Sequence, residues 1–139
     1  MATTAKETLH ERFVANLTRE SNDPWTAFET GIPMRDGVEL AADVYLPKGQ
    51  KGPFPAIVEC TPYDKAGAFM IDDVSLYSRH GYAVVIVDLR GRGKSEGEWS
   101  PPVYDAPDCH DVVEWAAAQS WCTGKVGMTG LSYMGWVQW

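Results

Sequence analysis

The chain has 139 residues, 45% of them hydrophobic and 12% aromatic, which reads as one folded domain or part of one and sets it apart from disordered chains. A formal net charge of −7 sets it against phosphate backbones and so against nucleic-acid partners, and no apolar run approaches the roughly 18 residues of a membrane-spanning helix. The first residues lack an apolar signal core, and Cys60, Cys109 and Cys122 are odd in number and irregularly spaced, so the expectation is free thiols in a cytoplasmic protein.

Residues 1–24 read as a helix and a linker. Leu9, Phe13 and Leu17 recur every four residues with Val14 beside them, the stripe of a surface helix. Asn16-Leu17-Thr18 matches a glycosylation sequon, read as chance without a secretory signal. Ser21-Asn22-Asp23-Pro24 breaks the pattern, and residues 25–139 form the expected catalytic domain.

Phe28, Thr30, Ile32 and Met34 alternate, and so do Val38, Leu40, Ala42, Val44 and Leu46. Asp36-Gly37 lies between the two runs, which predicts a β-hairpin. A short strand follows over Pro55–Cys60. A helix is predicted from about Phe69 to Arg79, closed by Gly81. Val84-Val85-Ile86-Val87 reads as a strand buried on both faces. A second helix is predicted from about Ala106 to Gln119, with Asp105, Asp108 and Asp111 near its start, where the helix dipole favours acids. Trp121-Cys122-Thr123-Gly124 reads as a connector to a last strand. This order predicts an α/β domain with a mostly parallel sheet.

Three stretches could carry chemistry. In Lys125-Val126-Gly127-Met128-Thr129-Gly130-Leu131-Ser132-Tyr133-Met134-Gly135 a strand runs through a glycine and a serine into a helix, the pattern of a nucleophile elbow. Glycine stands at −2 from Ser132, but the next one is at +3 rather than +2, and a helix-capping serine explains the local pattern equally well. Thr61-Pro62-Tyr63-Asp64-Lys65 follows the strand expected beside the elbow strand. A tyrosine there could donate to a developing oxyanion or simply pack its ring. Gly91-Arg92-Gly93-Lys94-Ser95-Glu96-Gly97 follows a strand, as a dinucleotide fingerprint would. Its spacing fits neither that fingerprint nor a phosphate loop, so it reads as a turn beside the active-site face. His10, His80 and His110 all precede Ser132, and none stands in a recognisable base position. Cys109-His110 lacks the spacing of a zinc site, and no cofactor or metal is expected.

With these motifs in one order, residues 28–139 resemble the N-terminal part of the Xaa-Pro dipeptidyl-peptidase-like serine hydrolases, the cocaine esterase family, on the α/β-hydrolase fold. The residues that carry the resemblance are Met34-Arg35-Asp36-Gly37-Val38-Glu39-Leu40, Pro62-Tyr63-Asp64-Lys65, Asp88 to Gly97, Trp121 to Met128, and Gly130-Leu131-Ser132-Tyr133-Met134-Gly135. The group uses G-x-S-Y-x-G, which fits the displaced glycine. The resemblance implies Ser132 as nucleophile, with the Tyr63 hydroxyl and the Tyr133 backbone N–H as the oxyanion hole. It implies an acyl-enzyme mechanism on a small-molecule ester or peptide substrate. In this fold the triad runs Ser, Asp, His, so both partners are expected after Ser132, where only Tyr133 to Trp139 follow. The expectation is an N-terminal fragment lacking the triad acid and histidine, inactive alone, with an open edge on its last strand. The competing expectations are a partner-binding remnant and a nucleotide-binding module. For a peptidase, a carboxylate would have to hold the substrate's free amine; Asp72 and Asp73 are near in sequence, but nothing selects them.

Overall fold

A computed structural model describes residues 22–67 and 70–139. The helix expected over residues 1–20 lies outside them. The chain begins with the hairpin. Strand β1, Trp25–Pro33, pairs antiparallel with β2, Glu39–Pro47. The turn closes where expected: Gly37 takes φ 87°, a conformation that suits glycine, and the Asp36 carboxylate accepts the Val38 N–H at 3.2 Å.

Strand β3, Phe54–Thr61, leads through the Tyr63 turn into helix α1, Met70–Arg79. That helix ends in a Schellman motif. Gly81, at φ 82°, donates to the Ser78 carbonyl, and Tyr82 donates to the Tyr77 carbonyl. Strand β4, Ala83–Asp88, is buried at every residue. Helix α2, Asp105–Ala117, returns the chain to β5, Cys122–Met128, and a single turn, α3, Tyr133–Trp136, follows the elbow.

The strands lie in the order β1-β2-β4-β3-β5. Strands β4, β3 and β5 are parallel, joined by α1 and α2 as crossovers, whereas β2 meets β4 antiparallel. The sheet is therefore mixed rather than mostly parallel, because the hairpin joins it through β2 with reversed polarity. The expected connector Trp121–Gly124 is also corrected. Cys122 already pairs with Phe54, and the register slips before Ala56 meets Val126. Gly124, at φ 82°, lies within that irregularity, which made a strand start look like a loop.

The two helical crossovers cover opposite faces. Leu40, Ala42, Val44, Val58, Cys60, Val85 and Val87 pack with Cys109, Val112 and Ala116 of α2. On the other face Tyr45, Val84 and Ile86 pack with Met70 and Val74 of α1 and with Met134 of α3. A sheet covered on both sides explains the unbroken aliphatic run of β4. An ion pair lies within this core. The Lys65 ammonium is buried and meets the buried Asp43 carboxylate at 2.7 Å. Burial lifts the Asp43 carboxyl to about 6, against the opposite pull of Lys65. Such a pair gains little over an apolar one, but losing Lys65 strands the Asp43 charge at a cost of about 3–5 kcal/mol, whereas losing Asp43 leaves Lys65 the Glu29 carboxylate at 3.4 Å.

Candidate active site

Because β4, β3 and β5 are parallel, their C-terminal ends open on the same rim of the sheet, where ligands of such sheets bind. The glycine-rich loop leaves from β4, the Tyr63 turn from β3 and the elbow from β5. Val58 is level with Met128, so the two chains leave the sheet together, Tyr63 five residues beyond Val58 and Ser132 four beyond Met128. Sequence reasoning placed these strands side by side, and they are.

Ser132 sits between β5 and α3 at φ 58° and ψ −130°. Only one other non-glycine residue among those described has positive φ, Asp64 in the Tyr63 turn. A helix-capping serine usually has extended dihedrals and accepts a backbone N–H with its hydroxyl. Ser132 has neither: its side chain makes no capping bond, and the residue is exposed. Holding a non-glycine residue in such a conformation costs on the order of 1–3 kcal/mol, and capping does not recover it here.

The displaced glycine has a steric reason. At Gly130, φ 132°, a methyl group would stand 2.5 Å from Met134 Cβ, and one at Gly135 would stand 2.9 Å from the Gly130 carbonyl oxygen. The two glycines face each other across the elbow, so +3 serves the close approach of strand and helix that +2 would serve in the stricter motif.

Tyr133 is pinned from three sides. Its hydroxyl donates to Asp105 Oδ2 at 2.6 Å, and its ring lies 5.5 Å from that of Trp99 and 5.2 Å from that of Trp136. Burial, and then the Asp105 bond, push its phenol pKa upward; the nearby Tyr63 adds to the rise. Tyr133 opens α3, and the geometry of a helix start leaves the N–H groups of Tyr133 and Met134 without intrahelical acceptors.

Tyr63 is about half exposed. Its N–H donates to Thr61 Oγ1 at 3.0 Å, and the next residue, Asp64, turns the chain at φ 83°. Beyond that turn the Lys65 N–H donates to the buried Asp88 carboxylate at 2.7 Å, and Asp88 also accepts the Lys94 N–H at 3.0 Å. Burial raises the Asp88 pKa, and the two N–H bonds oppose it.

The glycine-rich loop is tied to itself. Gly91 donates to the Glu96 carbonyl, Arg92 to Leu89 and Ser95 to Arg92, each at 2.8–2.9 Å. With Lys94 bound to Asp88, these N–H groups are committed internally, and a carboxylate lies where a phosphate would have to come. The loop is built as a turn, as its spacing suggested.

The acids at the start of α2 have specific partners beyond the helix dipole. Asp105 holds Tyr133, and Asp108 forms a bidentate pair with Arg90 at 2.7 and 2.8 Å. Asp111 meets Arg35 at 2.6 Å, and that bond draws its carboxyl down to about 2. Sequence reading missed these partners, which lie far apart along the chain.

Neither described histidine approaches the elbow serine as a base. His80 Nδ1 lies 2.7 Å from the Leu76 carbonyl at the end of α1, and His110 is exposed beside Asp111. His10 lies outside the described residues. The three cysteines are free and buried. Among the described residues no group of three His, Cys, Asp or Glu could hold a metal ion, and no helix is long and apolar enough to cross a membrane.

The chain is 47% identical over 112 residues to the cocaine esterase of Rhodococcus sp. (strain MB1 Bresler), a match covering 78% of this chain and 19% of that protein. It superposes on an α-amino acid ester hydrolase with TM-score 0.73 and 33% identity, over 86% of this chain and 23% of that one. It also superposes on a CocE/NonD family hydrolase from Staphylococcus aureus with TM-score 0.76 and 30% identity, over 83% and 24%. The chain thus spans about a fifth of the length of the curated relatives it matches. The family model for X-Pro dipeptidyl-peptidase (S15 family) matches residues 36–139, from the hairpin turn through the elbow, and the chain belongs to that family.

Proposed function

We propose that residues 25–139 carry the nucleophile and the oxyanion hole of a serine hydrolase that cleaves a small ester or amide through an acyl-enzyme. The observation that carries this reading is Ser132 itself: exposed, at φ 58° between a strand and a helix, and not used as a cap. Family membership and the likeness to ester hydrolases support it.

In the proposed reaction Ser132 Oγ attacks the substrate carbonyl carbon as a base takes its proton. The carbonyl oxygen becomes an oxyanion, held by the Tyr63 hydroxyl and the Tyr133 N–H. Collapse expels the alcohol or amine, which takes the proton back from the base. Water then attacks the acyl-serine by the same route and frees Ser132. Residues 133–139 contain no Asp or His. The reading thus needs an acid and a base that residues 133–139 do not supply.

A fluorophosphonate probe tests the reading on the full-length gene product. We expect labelling at Ser132, abolished by Ser132→Ala. Labelling that persists in Ser132→Ala would remove Ser132 from the mechanism.

A further inference from the structure

The glycine-rich loop has no place in the chemistry above, yet it holds the backbone of the turn that carries the one side chain assigned to the oxyanion hole. Arg92 Nε donates to the carbonyl of Pro62 at 2.9 Å, immediately before Tyr63. Its guanidinium carbon lies 5.4 Å from the centre of the Trp99 ring. On the far side of Tyr63, the Lys65 N–H is fixed by Asp88, which also fixes the Lys94 N–H of the same loop. The Tyr63 turn is thus held at one end by the loop and at the other by Asp88, the last residue of β4, from which the loop leaves. Gly93 admits this arrangement because any side chain there would collide with the Asp88 carboxylate.

We infer that Arg92 is a positioning residue for Tyr63: through the Pro62 carbonyl and the Trp99 ring it sets the direction in which the Tyr63 hydroxyl is presented. The inference rests on the reading of Tyr63 as an oxyanion donor. Three features favour Arg92 over its neighbours. It is an exposed residue with one directional bond into the turn, so its removal leaves the core intact. Its flat guanidinium can bond a carbonyl and lie over an indole at once, which a lysine ammonium on a flexible stem cannot reproduce. And the turn it holds contains Asp64 at positive φ, a backbone that needs support from outside itself.

The decisive experiment is fluorine NMR on protein labelled with 3-fluorotyrosine, with the Tyr63 signal assigned by Tyr63→Phe. Arg92→Ala should shift and broaden the Tyr63 signal and leave that of buried Tyr45 in place. Arg92→Lys should behave like Arg92→Ala. An unmoved Tyr63 signal in Arg92→Ala overturns the inference. The kinetic arm uses the full-length gene product and an ester substrate at saturation. There Arg92→Ala should lower kcat by about tenfold, and by less than twofold when Tyr63 is already Phe. An equal loss in both backgrounds also overturns it. If the unaltered protein neither labels with fluorophosphonate nor turns over, the hydrolase reading has failed, and the NMR signal alone decides whether Arg92 positions Tyr63.

Discussion

Glu59 near the end of β3 and Tyr63 in the turn four residues on show two fates of a polar side chain. Tyr63 reaches the rim of the sheet. Tyr63→Phe keeps the ring and removes the hydroxyl, so in an active full-length protein we expect kcat to fall by about 10²–10³, the usual loss of one oxyanion donor. A steady-state assay checks this, and a loss below tenfold would make the hydroxyl structural. Glu59 is buried in the sheet, and its Oε2 has no hydrogen-bond partner among the described residues. Burial, and then the neighbouring Asp73, raise its pKa from 4.5 to about 7. The folded state therefore binds a proton that the unfolded chain releases above about pH 4.5. Stability is fully present below that value and declines as pH rises towards about 7, by an amount on the order of 3 kcal/mol. Glu59→Gln should flatten the decline, and urea denaturation at pH 5 and pH 8 measures it; an unchanged slope would clear Glu59 of the effect. The turns that carry Ser132 and Tyr63 were legible in the sequence because glycine and proline punctuate them. Glu59 was not. A lone carboxyl in Ile57-Val58-Glu59-Cys60 gives no sign of which neighbours it will fail to find.

At the scale of elements, the elbow depends on two glycines that face each other. Gly130→Ala brings Cβ into contact with Met134 at a φ that side chains rarely adopt, and Gly135→Ala presses on the Gly130 carbonyl. We expect each to cost about 1–3 kcal/mol by overpacking and to slow fluorophosphonate labelling of Ser132. Denaturation midpoints and labelling rates, read together, separate lost folding from a displaced serine. Normal midpoints with normal labelling would mean that strand and helix can move apart. Most elements could be read beforehand, because local signals define them. Asp36-Gly37 set the hairpin, the aliphatic run set β4, and Gly81 closed α1. What could not be read was the pairing of side chains across elements: Asp105 with Tyr133, Asp108 with Arg90, Lys65 with Asp43. Each joins residues more than fifteen positions apart, and periodicity carries no information about such contacts. The start of β5 was misread for a related reason, since an irregular register looks like a loop until its partner strand is in place.

At the scale of the molecule, β5 forms one edge of the described sheet. Its exposed Lys125 stands on that edge between Gly124 and Val126. A charge there opposes pairing of one edge with another, because desolvating the ammonium costs more than a new ladder would return. Lys125→Val should make the protein scatter light at a lower temperature and concentration than the unaltered chain. Equal scattering would show that the edge is guarded by something else. The mixed sheet was only partly legible at this scale: the parallel units followed from their order, whereas the antiparallel junction of β2 with β4 is a choice of topology that local sequence does not express.

That junction also governs the order of events on a ribosome. The hairpin can close as soon as β2 emerges, since its partner lies directly before it. Strand β3 comes next but has nothing to pair with, because both its neighbours, β4 and β5, are synthesised later. Only when β4 arrives can it slot between β2 and β3 and join two pieces that until then have separate fates. The nascent chain therefore carries open apolar edges while α1 and β4 are being made, and this interval is when a holding chaperone would have most to cover.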